Sequence, residues 1–207
     1  MSPDPKRPST RLGRATRELM RQQVFVGLEE LVHELAWSEI TMSQVALRVG
    51  VSRQTLYNEF GNRDELSRSY VLWASEGFLD EVERAVRQHR DDFARALQSA
   101  LELFLGLARD HPMVRALVST AGAEDLRALV STSAGLPLIA TAGDRLAEII
   151  LDTWPGLPAG PIATFADTVV RLAISHLTVP GGTPHDAATT VVDVLSPYLA
   201  QFEAGRR

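Results

Sequence analysis

The sequence predicts an all-α chain, with a small N-terminal helix-turn-helix unit followed by a larger helical body. Apolar residues recur at three- and four-residue steps along nearly every long segment, and no strand-like alternation interrupts them. In addition, the stretch 41–60 sets two short amphipathic segments either side of a glycine.

Residues 1–11 are rich in Pro, Ser and basic side chains and read as a disordered arm, able to follow a DNA backbone or simply to stay solvated. A first helix is expected over 12–36, where Leu19, Val24, Leu28, Leu31, Val32 and Leu35 form a stripe and Arg14, Arg17 and Arg21 lie near the start. Thr41 followed by Gln44 is a capping box, and Val45, Ala46 and Val49 supply the buried face of the helix it opens. Gly50 ends that helix. Ser52 can cap the next one, whose inward face is Leu56 and Phe60. Its outward face is Arg53, Gln54, Tyr57 and Asn58. A guanidinium suits guanine N7 and O6, an amide suits adenine N6 and N7, and a phenol and a second amide can reach phosphate oxygens.

A fourth helix, 62–89, is expected to start at the N-cap Asn62 with Asp64 and Glu65 favouring its dipole. Its length suits a rod that begins in the head and ends in the body. The segment 91–110 is apolar nearly all round and reads as a central helix. Pro112 opens a short helix to about residue 120, a further short segment is expected at 124–132, and a seventh helix at 138–154. Two long helices, 161–179 and 184–203, close the chain around the breaker at 180–182. Both carry more apolar surface than one intramolecular neighbour needs, through Phe165, Val169 and Leu177 in the first and Val191, Val194, Leu199 and Phe202 in the second. That surplus predicts a two-fold four-helix interface, hence a homodimer.

The 207 residues carry a net charge of −5, but the charge is unevenly spread. Nine basic side chains face seven acidic ones up to Arg63, and twelve face nineteen after it. A weakly basic head can hold phosphates while an acidic body stays off the duplex. There is no cysteine, so disulfides and thiolate chemistry are excluded, and no cofactor is expected. No apolar run is long enough to span a membrane and the first residues lack a secretory core, so a cytoplasmic protein is expected.

An all-α metal enzyme would need two Glu-x-x-His pairs, whereas the chain offers one, Glu30 and His33. Ser175 and His176 are helix neighbours pointing about 100° apart and cannot share a proton. No catalytic constellation is therefore expected and no metal site. The remaining rival is a helical protein-interaction module that does not touch DNA.

With Thr41 at the first cap, Gly50-Val51-Ser52 at the turn and Thr55-Leu56-Tyr57 in the second helix, the chain resembles the TetR family of bacterial regulators over roughly residues 12–66. Ala36 stands where that family usually closes its first helix with Gly, Asn58 where His is common, and Arg63 where Lys is common. The resemblance implies a helix-turn-helix domain at 12–63 and a ligand-binding and dimerisation domain at 64–207. It implies a palindromic double-stranded operator, with Arg53 and Gln54 reading bases and Thr41, Ser43, Ser52, Thr55, Tyr57, Asn58 and Arg63 placed around the phosphates. It also implies an effector cavity walled by Trp73, Phe78, Leu101, Phe104, Met113, Leu117, Leu146, Phe165 and Val169. That wall predicts a hydrophobic effector, fatty-acid-like or hydrocarbon first and bulky aromatic second, with Arg171, Arg115 and His111 as the nearby candidates for a carboxylate. The glycines Gly77 and Gly106 are further candidates for the wall.

Overall fold

The computed structural model describes residues 11–118, 135–179 and 181–204. The arm at 1–10, the expected segment 124–132 and the side chains of Leu117, Leu199 and Phe202 lie outside the described residues. These contain nine α-helices and no strand, in two compact units, 1–66 and 67–207.

In the first unit, α1 (Arg11–Glu34) buries Val24, Phe25, Leu28, Leu31 and Val32. Leu19 does not belong to this stripe, being 62% exposed. Arg17 and Arg21, two residues either side of it, turn toward Glu59, and two residues along a helix rotate by about 200°, so Leu19 points the opposite way. Ala36 escapes left-handed strain altogether. It takes extended geometry at φ −65° and ψ 145°, and its N–H donates to the Glu39 carboxylate at 3.1 Å. A single 3-10 turn, Trp37–Glu39, then leads to α2 (Met42–Val49).

The capping box is formed: the Gln44 N–H donates to Thr41 Oγ1 at 3.3 Å and the Thr41 N–H to Gln44 Oε1 at 2.8 Å. Gly50, at φ 72°, supplies the left-handed residue that ends α2, and the Val51 N–H reaches back to the Ala46 carbonyl at 3.0 Å in a Schellman closure. The Ser52 hydroxyl caps α3 (Arg53–Phe60) by accepting the Thr55 N–H at 3.0 Å. Gly27 lets α1 and α2 approach closely, since a Cβ there would fall 2.4 Å from Val49 Cγ1.

Helix α4 (Arg63–Gln88) starts at Asn62, whose side-chain oxygen accepts the Glu65 N–H at 2.9 Å, and it runs from the first unit into the second. The body continues with α5 (Phe93–Asp110), α6 (Pro112–Val118), α7 (Leu136–Thr153), α8 (Ala159–Thr178) and α9 (Pro184–Ala204). Helices α7 and α8 pack on each other, as do α5 and α9. Helix α5 is less uniformly buried than its composition suggests, because Leu107 is exposed. Pro197 sits inside α9 and cannot donate to the Asp193 carbonyl; the Ser196 hydroxyl donates to that oxygen instead, at 2.8 Å.

Candidate nucleic-acid interface and effector cavity

Within the head, the exposed surface of α2 and α3 carries Thr41, Ser43, Ser52, Arg53, Gln54, Tyr57 and Asn58, with Thr55 half-buried behind the Ser52 hydroxyl at 2.8 Å. Gln54 and Asn58 are paired, the Gln54 amide donating to Asn58 Oδ1 at 2.9 Å. Such a pair presents its remaining donors and acceptors in a fixed relation, which is what bidentate readout of a base edge requires.

Arg63, expected at a phosphate, is turned inward. Its Nε donates to the Ile40 carbonyl at 3.1 Å, its terminal nitrogen to the Trp37 carbonyl at 2.7 Å, and the guanidinium lies 5.1 Å over the Trp37 ring. It thereby ties the 3-10 turn to the start of α4. Arg17 and Arg21 are also committed internally. They hold Glu59 at 2.6 and 2.9 Å, and the Arg21 guanidinium sits over the Phe60 ring at 4.8 Å. Arg48 bridges α2 to α1 through Glu30 and Glu34, and holds the Glu34 carboxyl below its ordinary range. Four of the nine basic residues of the head thus orient its helices. The sequence offered one sign of the Glu59 clamp, the i, i+4 spacing of Arg17 and Arg21. Leu47, in α2, is 83% exposed and went unnoticed in the sequence. Of the lone Glu-x-x-His spacing in α1, Glu30 pairs with Arg48 while His33 faces Glu29 at 3.3 Å.

Within the body, a cavity of about 140 Å³ is bounded by α4 to α8. Phe78, Leu101, Phe104, Met113, Leu146, Phe165 and Val169 line it, as the sequence suggested. Trp73 does not. The cavity face of α4 runs through Val71, Ser75, Phe78, Leu79, Val82 and Val86, and Trp73 lies about 200° round the helix from Val71. Its ring stacks on Tyr70, with centroids 6.1 Å apart. Gly77 and Gly106 are also outside the wall. The floor is aromatic, with Phe93 between Trp154 at 4.5 Å and Phe165 at 5.7 Å.

Among the described residues only two polar side-chain groups, of Ser75 and Trp154, reach this lining, and backbone takes both. The Ser75 hydroxyl donates to the Leu72 carbonyl at 2.7 Å and the Trp154 indole N–H to the Arg90 carbonyl at 2.6 Å. Of the carboxylate candidates, Arg171 is exposed and paired with Asp167 at 2.7 Å. His111 packs edge-on to Phe78 at 5.4 Å and accepts the Met113 N–H at 3.2 Å. Arg115 lines a separate pocket.

A capped, glycine-turned helix pair with an exposed amide- and guanidinium-bearing face, followed by a helical body, defines the helix-turn-helix class of DNA-binding regulators. Residues 27–70 match the family model described as bacterial regulatory proteins, tetR family, and residues 92–197 the one described as bacterial tetracyclin repressor, C-terminal domain. The chain is 31% identical over 184 residues to the HTH-type transcriptional regulator AlkX of Mycobacterium tuberculosis, covering 89% of this chain and 87% of that one. A shorter match, 23% over 113 residues, covers 54% of this chain and 52% of the nucleoid occlusion factor SlmA of Mannheimia succiniciproducens. Among solved structures, the TetR family repressor AlkX from Dietzia sp., implicated in biodegradation of n-alkanes, superposes with a TM-score of 0.78 at 33% identity, over 87% of this chain and 97% of that one. A TetR-family regulator from Pectobacterium atrosepticum shares the fold at a TM-score of 0.63 and 14% identity, over 91% and 96% of the two chains.

The chain belongs to the TetR family of transcriptional regulators, which bind DNA, typically as dimers, and are not enzymes. No helix among the described residues is long and apolar enough to cross a membrane.

Proposed function

We propose that the protein is a cytoplasmic repressor that occupies a near-palindromic operator as a homodimer and leaves it when a hydrophobic small molecule enters the body. In this reading residues 1–11 are an arm, 12–63 bind DNA, and 64–207 bind the effector and dimerise. Arg53 and Gln54 read bases. Thr41, Ser43, Ser52, Thr55, Tyr57 and Asn58 position phosphates, and Arg63 acts one step back by fixing the 3-10 turn. Val179, just past the end of α8, and Val194 on α9, exposed at 76% and 69%, support a dimer face there.

The observation that carries the effector reading is the cavity, whose two polar groups are already satisfied. A void of about 150 Å³ lined by apolar side chains stays dry and accepts apolar guests. The n-alkane connection of the Dietzia relative supports a hydrocarbon or fatty-acid-like effector. Release requires differential affinity: about hundredfold preference for the DNA-incompetent state in each of two subunits supplies about 5.5 kcal/mol, enough to invert occupancy. Footprinting on DNA upstream of its own and adjacent genes, with and without such compounds, tests the reading. A protected inverted repeat lost on adding an apolar ligand is expected. Absence of any protected repeat would overturn the operator, and displacement only by sugars or strongly cationic compounds would overturn the cavity.

A further inference from the structure

A second pocket in the body, of about 290 Å³, shares two of its walls, Val114 and Leu177, with the apolar cavity. Its chemistry is the opposite. Arg109, Arg115 and His176 line it beside the glycines Gly181 and Gly182, and among the described residues no Asp or Glu is part of the lining. These three side chains come from α5, α6 and α8. Such convergence runs against the composition of a body in which acids outnumber bases. Four arginines elsewhere in the body are ion-paired: Arg87 and Arg145 share Glu83, Arg84 has Glu81 and Arg171 has Asp167. Arg109 donates to the Gly182 carbonyl over 3.4 Å, and among the described residues neither it, Arg115 nor His176 is ion-paired.

From this juxtaposition we propose that the second pocket binds the carboxylate of an amphiphile whose hydrocarbon chain lies in the apolar cavity. The proposal rests on the effector reading above and narrows it. Among the described residues the apolar cavity has no uncommitted donor for a polar head, which places the head of an amphiphile beyond the wall, and the pocket that shares Val114 and Leu177 is where cations await it. A guanidinium meets a carboxylate through two parallel, charge-assisted hydrogen bonds, a geometry that an ester or a methyl terminus cannot reproduce. The second pocket therefore selects acids over hydrocarbons of equal length.

The test is calorimetric titration of the full chain with decanoate and with methyl decanoate. The native protein is expected to bind the acid at least about tenfold more tightly than the ester, the loss associated with one charge-assisted hydrogen bond. Replacing both exposed arginines, Arg109→Gln with Arg115→Gln, is expected to bring the acid down to the affinity of the ester and to leave the ester where it was. Equal binding of acid and ester by the native chain would overturn the carboxylate pocket while leaving the apolar cavity standing. The same holds if acid and ester weaken together in the variant. Failure of both probes to bind the native chain would overturn the effector reading and this proposal together.

Discussion

Replacing Gly27 with alanine adds one methyl group at the seam between α1 and α2. That carbon would lie 2.4 Å from Val49 Cγ1 and 3.3 Å from Arg48 Cγ. Carbon atoms rest at about 3.5–4.0 Å, so the seam must open by roughly 1 Å. Val49 is β-branched and holds one strongly preferred rotamer in a helix, which leaves backbone movement as the main relief. Overpacking of this kind costs about 1–3 kcal/mol, against a gain of about 1 kcal/mol from replacing a mid-helix glycine. Gly77 isolates the contact. It is also inside a helix, but a Cβ there meets nothing within 4 Å, so Gly77→Ala should only gain. The two variants should therefore differ by about 1–3 kcal/mol in urea denaturation, with Gly27→Ala the weaker. The double variant Gly27→Ala with Val49→Ala should recover part of the loss. Equal stability of Gly27→Ala and Gly77→Ala would show that the seam is looser than its geometry implies.

On the DNA face, Arg53→Ala should cost about 1–3 kcal/mol and relax discrimination at one base pair of each half-site, whereas Tyr57→Phe should weaken all sequences alike. Binding to a panel of operator variants checks this, and a uniform loss for Arg53→Ala would move that residue to the phosphates. In the cavity wall, Ala173→Leu should weaken binding of an apolar ligand at least about tenfold by filling space that ligand needs; unchanged affinity in calorimetry would take Ala173 out of the site. In the body, Arg87 and Arg145 hold the Glu83 carboxyl below its ordinary value of 4.5. Its contribution to stability is therefore complete above that value and is lost as pH falls through the lowered one. Glu83→Gln should flatten the acid side of the stability profile, and an unaltered slope in acid titration would count against the pairing.

The helix boundaries of the head were legible because caps are local. Thr41 and Gln44, Gly50, and Ser52 each find their partner within a few residues, so the pattern in the chain is already the structure. The roles of the arginines were not legible. Arg17 and Arg21 meet a glutamate about forty residues away, and Arg63 bonds to carbonyl oxygens, which every residue possesses and no sequence pattern marks. In each case a basic residue near a DNA-reading helix looks like a phosphate ligand until its acceptor is seen. Trp73 shows the limit of periodicity, because a long helix with apolar residues on more than one face does not declare which stripe meets the void. Of the basic pocket the sequence suggested only Arg115, since Arg109, Arg115 and His176 become neighbours only when three helices and the turn before α9 come together.

The three tryptophans turn this arrangement into a set of built-in optical labels. Trp37 lies beneath a guanidinium in the head, Trp73 against a tyrosine on α4, and Trp154 in the cavity floor with its indole N–H on a backbone carbonyl. Their emission reports three different surroundings in one unlabelled sample. In chains keeping a single tryptophan each, with phenylalanine at the other two positions, the time course at Trp154 after mixing with ligand dates the filling of the cavity. The time course at Trp37 dates the response of the head. If the head signal precedes the cavity signal, the ligand captures a conformer already present; if it follows, the ligand drives the change. The natural distribution of one amino acid type thus gives the order of events in the proposed induction without any added dye.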